Sequence, residues 1–120
     1  MEKRQQADRP LFYEGKEVGR IEKGRIISAL TESELSKMLR EELEPLDRVH
    51  LPHRAPALYL LTQHFNIPSK DYRTIEDLEI AAVEEGCKNM RDIRRIDPSL
   101  AREIYRMHAT PRISRELRSA

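Results

Sequence analysis

Helix-start signals recur at short intervals along this chain, and they constrain its fold more than any other feature. Thr31-Glu32-Ser33-Glu34 and Thr74-Ile75-Glu76-Asp77 read as capping boxes. In each, a threonine hydroxyl accepts from the N3 amide and the N3 carboxylate reaches back to the N-cap amide. Asp97-Pro98 and Thr110-Pro111 join an N-cap side chain to a proline, whose fixed φ and missing N–H suit the first helical position. Starts spaced this closely leave room only for short helices.

The apolar residues that follow agree with that reading. Leu35, Met38, Leu39 and Leu43 lie on one helical face, and Pro45 ends the run. Pro56 opens a compact helix over Ala57 to Phe65 that is apolar on most sides, so its own domain or a partner must bury it. Ile75, Leu78, Ala82 and Val83 form an inward stripe that stops at Gly86. Met90, Ile93 and Ile96 do the same for a shorter helix, and Leu100, Ala101, Ile104, Tyr105 and His108 for the next. Thr110-Pro111 then starts a basic tail helix.

Residues 1–9 read as a polar arm without structure. Residues 10–30 carry strand signals: Leu11-Phe12-Tyr13, a turn at Glu14-Gly15-Lys16, a return strand over Glu17 to Glu22, a second turn at Lys23-Gly24 and a third strand over Arg25 to Leu30. Val18 and Ile21 are three apart and cannot share a face of a regular strand. A bulge at Gly19 would bring both inward. Between the two helical regions, Val49 and Leu51 alternate with His50, which predicts a short edge strand over Asp47 to Leu51. The fold class expected is α+β and mainly helical, a small N-terminal antiparallel β-meander (10–30) packed on about five short helices (31–120). With 120 residues the expectation is one domain, 10–120, around one modest core.

Composition narrows the function classes. The lone Cys87 cannot form an internal disulfide, no apolar run approaches a membrane span, and the N-terminal residues lack the apolar stretch of a signal peptide. A cytoplasmic protein with no membrane partner is expected. The net charge is only +1, yet residues 32–47 and 70–85 each hold six acids against two bases. Residues 86–120 hold nine bases against four acids, and eight of the nine are arginine, the side chain suited to planar, bidentate contacts.

The candidate contact residues are therefore Arg91, Arg94, Arg95, Arg102, Arg106, Arg112 and Arg115. They could hold a phosphate backbone or an acidic protein surface, or pair with the acidic segments of their own chain. Lys16, Arg20 and Arg25, near Phe12 and Tyr13 of the hairpin, are a secondary set able to frame a stacked base. A helix-turn-helix over Ala82, Gly86 and Cys87 fails on register, because Asp92 and Arg95 stand where its second helix needs apolar residues. His50 and His53 are close in sequence, but a zinc site needs three or four converging ligands, and Pro52 between them extends the chain. No metal or cofactor is expected. No nucleophile, acid pair or phosphate-binding glycine loop forms a catalytic motif, which leans against an enzyme. The function expected is a protein-interaction or assembly module with a segregated surface charge, joined to a protein partner or to itself. The alternative is a nucleic-acid-binding module using the arginine-rich C-terminal helices.

Overall fold

The computed structural model describes residues 8–119 and has an α+β, mainly helical fold: a three-stranded antiparallel N-terminal sheet and eight helices. The strands are β1 (Arg9–Tyr13), β2 (Lys16–Glu22) and β3 (Arg25–Ser28), in the order β1-β2-β3. The helices are α1 (Glu32–Glu41), α2 (Pro45–Val49), α3 (Leu51–Arg54), α4 (Pro56–Phe65), α5 (Ile75–Glu84), α6 (Met90–Ile96), α7 (Pro98–Arg106) and α8 (Thr110–Ser119), with a 3-10 turn at Ser69–Asp71. The chain divides into two compact units, residues up to Leu43 with His50–Tyr72, and Glu44–Val49 with Arg73 onward. Of the N-terminal arm expected over 1–9, residues 1–7 lie outside the described residues, whereas Arg9 already belongs to β1.

In the first unit both hairpins turn on two residues with positive φ, Glu14-Gly15 (51° and 81°) and Lys23-Gly24 (51° and 76°). That is the turn geometry whose twist matches the flanking strands. The expected bulge is present. Leu11 pairs with Gly19 and Phe12 with Glu17, so Val18 is the extra residue, and Val18 and Ile21 are both fully buried. Gly19 also faces β3 too closely for a side chain: a Cβ there would stand 2.7 Å from the Ile27 carbonyl oxygen. α4 packs on the sheet and on α1, and Leu58 and Leu61 join Leu11, Val18, Ile21, Leu35 and Leu39 in the core. The apolar α4 is thus covered by its own unit.

The second unit has a separate core, built of Val49, Leu78, Ala81, Ala82, Met90, Ile93, Leu100, Ile104, Ile113 and their neighbours. The aliphatic residues therefore divide between two clusters instead of filling one. Three of the four helix-start signals act as their chemistry predicts, whereas Thr110 is itself the first residue of α8. Thr31 with Glu34 and Thr74 with Asp77 form reciprocal capping boxes, and Asp97 accepts from the Leu100 amide ahead of Pro98.

The edge strand expected over Asp47 to Leu51 is helical. Pro45, Pro52 and Pro56 each fall in the first turn of a helix, where the missing N–H is not needed, so the prolines start helices in this stretch. The apolar alternation at Val49 and Leu51 has another origin. Val49 ends α2 in the second core, and Leu51 starts α3 in the first.

Candidate interaction surface

The most buried ion pairs of the second unit use arginines outside the C-terminal third. Arg48, on α2, grips Asp77 through two nitrogens, Nε to Oδ2 at 3.2 Å and Nη2 to Oδ1 at 2.7 Å. Asp77 Oδ2 also accepts from the Thr74 amide at 2.8 Å, so one buried carboxylate both caps α5 and fixes α2. Arg73, buried as well, donates to Glu103 at 2.7 Å and to the Val49 carbonyl at 3.4 Å. These two arginines are structural, since each sits where an unpaired charge would be costly.

The candidate residues of the C-terminal third are all exposed. Three have carboxylate partners: Arg95 meets Asp92 at 3.2 Å, Arg106 meets Glu103, and Arg112 bridges Glu79 and Glu76 between α8 and α5. Arg94 donates to the Tyr105 hydroxyl. The guanidinium groups of Arg91, Arg102 and Arg115 have no hydrogen-bond or ion-pair partner among the described residues. Pairing within the chain thus accounts for some of these arginines and leaves a distinct subset open.

Of that subset Arg102 shares a groove with Arg94, whereas Arg91 and Arg115 are not among the residues that line it. Arg94 of α6 and Pro98, Ala101, Arg102 and Tyr105 of α7 line a shallow groove of about 320 Å³. The four α7 residues follow the i, i+3, i+4, i+7 spacing of a single helical face, and α6 brings Arg94 beside it. Tyr105 is 42% exposed, so its ring forms part of the groove surface alongside the two arginines. The sequence pattern predicts Tyr105 inward with Leu100 and Ile104, but it lies about 140° around the helix from Leu100 and clears the buried face. Val83, also expected inside, is outside for the same reason relative to Leu78. Ile96 is exposed at the end of α6, whose buried positions are Met90 and Ile93, followed by Asp97. His108 is exposed past the end of α7, where the backbone turns left-handed at φ 55°.

The remaining candidates give less. In the sheet, Arg20 pairs with Glu22 at 2.9 Å, while Lys16 stands opposite Tyr13 and Arg25 opposite Glu22. Phe12 is exposed and Tyr13 packs against the core. Asp92 and Arg95, which spoil the helix-turn-helix register, are polar surface residues bonded to each other. Pro52 lies within α3, so the chain between His50 and His53 is a helical turn and not an extended segment. Cys87 is buried, and burial followed by the nearby charges of Glu85, Asp92 and Asp97 pushes its thiol pKa up. A thiol in that state is a poor nucleophile.

A second groove was not foreseen from the sequence. Glu79, Ile80, Val83 and Glu84 of α5 and Glu116 and Ser119 of α8 line a space of about 440 Å³ with exposed aliphatic side chains and an acidic rim. Its signal was present in the sequence as acids beside Ile80 and Val83, hidden by the assumption that Val83 faces inward. No protein-family model matches this chain, and no curated protein or solved structure is similar to it.

Proposed function

We propose that this chain is an interaction or assembly module that binds an acidic protein surface through the α6–α7 groove. One observation carries the reading: among the described residues Arg102 has no partner and Arg94 bonds only the Tyr105 hydroxyl, and both line one groove with the exposed Tyr105 ring. Arginine and tyrosine are the side chains most enriched at protein contacts, because each brings broad apolar area together with directed donors. The charge balance favours a protein over a nucleic acid. The second unit contains eleven bases and eleven acids, whereas a nucleic-acid binder gains from a net basic field. No helix among the described residues is long and apolar enough to cross a membrane, and the reading needs none. A cytoplasmic site of action belongs to the same proposal.

Tyr105 favours one further reading, since an exposed ring in a groove with two arginines can stack on an unpaired base. Replacing Tyr105 by the photo-cross-linker benzoylphenylalanine in the native cell separates the two. The expected result is a protein adduct at an Asp/Glu-rich peptide, lost when Arg94→Glu and Arg102→Glu are added. A nucleic-acid adduct would transfer the surface to the second reading, and no adduct at all would remove both.

A further inference from the structure

We infer that the acidic partner is a second copy of this chain, whose α5–α8 groove receives the α6–α7 surface. The inference rests on the reading above and supplies the missing half of the contact. In the α5–α8 groove, Glu79 is already neutralised by Arg112, but Glu84 and Glu116 have no ion-pair partner among the described residues. In the same groove Ile80 is 41% and Val83 49% exposed, a partly open apolar floor.

The two surfaces match in kind. One is lined by two guanidiniums and an aromatic ring, and the other by the carboxylates of Glu84 and Glu116 and two aliphatic side chains. Each leaves a charge exposed that the other would complement, in a unit whose total charge is zero. Any foreign partner would have to supply a surface that this chain already carries.

The two halves lie on different helices, so the contact either closes a two-fold pair, each copy giving its arginine face to the other's groove, or runs head to tail into a ring or an open chain. Exposed charge pairs are individually weak and screened by salt, so association should rise with concentration and fall with ionic strength.

Sedimentation velocity over a concentration series at low salt tests this with two charge-reversed chains, Arg94→Glu/Arg102→Glu and Glu84→Arg/Glu116→Arg. Wild type is expected to exceed the mass of one chain and to return to it in high salt. Each reversed chain alone should stay single. An equimolar mixture should recover a mass of two chains or more, because one variant keeps the intact groove and the other the intact arginine face. All substituted residues are exposed, and circular dichroism checks that the variants fold; the milder Arg102→Gln and Glu84→Gln/Glu116→Gln chains should weaken association in the same direction. A wild-type mass of one chain throughout, an association that survives either reversal, or a mixture that fails to recover would each overturn the inference. If wild type stays single while Tyr105 cross-links to a different acidic protein, only the identity of the partner falls and the arginine surface stands.

Discussion

Asp77 ties α2 to the start of α5, and its removal should be correspondingly expensive. Asp77→Ala deletes both hydrogen bonds from Arg48 and the cap on the Thr74 amide. The paired side chains are 13% and 7% exposed, so Arg48 would be left as a largely desolvated charge. Stranding one member of a buried pair costs about 3–5 kcal/mol. The lower end applies here, since Arg48 keeps another interaction and some solvent, giving about 3 kcal/mol. Thr74→Ala removes the hydroxyl that accepts from the Asp77 amide and leaves the ion pair, so it should cost about 1 kcal/mol. Urea unfolding, followed through the amide signals of α5, reads the second unit directly. With a slope of about 1–3 kcal/mol per molar urea, Asp77→Ala should lower the midpoint by roughly 1 M or more at unchanged slope. Adding Arg48→Met to Asp77→Ala should cost less than Asp77→Ala alone, because the loss of the remaining Arg48 interaction is offset by removal of the desolvated charge. Equal losses for Asp77→Ala and Thr74→Ala would refute the account, since the ion pair would then contribute nothing beyond the cap.

Other positions give independent checks. Gly19→Ala sets a Cβ 2.7 Å from the Ile27 carbonyl and 3.3 Å from the Ser28 Cα, so the backbone of β3 must move. The expected cost is about 1–3 kcal/mol, visible as faster amide exchange in β3, and unchanged exchange would contradict the close approach. At Asp92 the Lys88 amide and then the Arg95 guanidinium stabilise the carboxylate, which titrates below the ordinary aspartate range. Its support for the start of α6 is complete above the unfolded value of about 3.9 and is lost as pH falls through the lower folded value. The Lys88 and Asp92 amide shifts should follow that transition, and a midpoint at or above the unfolded value would contradict it. Cys87, buried with a raised pKa, should react with iodoacetamide far more slowly in the folded chain than in denaturant. Equal rates would show the thiol to be open.

Much of the architecture was legible because the local signals are chemical. Thr31, Thr74 and Asp97 each have a side-chain acceptor in reach of an orphan amide, and each begins a helix as its chemistry dictates. The odd spacing of Val18 and Ile21 required a bulge, and only Gly19 could approach β3 so closely. Pro52 was ambiguous, because a proline both breaks one helix and starts another, and alternation over three residues does not distinguish a strand from a change of helix. The candidate surface was half legible. That arginines crowd the C-terminal third is plain in composition. Which of them are neutralised depends on Glu76 and Glu79 meeting Arg112 across 33 residues or more of sequence. Tyr105 and Val83 were misplaced because an apolar residue beside a stripe was counted in it, although its angle takes it off the buried face.

The central claim is that the α6–α7 face is where this chain meets acid. Amide spectra of the 120-residue chain, recorded from dilute to concentrated solution at low salt, test it most directly. The account predicts concentration-dependent shifts at Arg94 through Tyr105 together with Ile80 through Glu84 and Glu116, reversed by added salt. Spectra that superimpose across the series, or shifts that fall on the sheet at Phe12 and Ile27 instead, would contradict it.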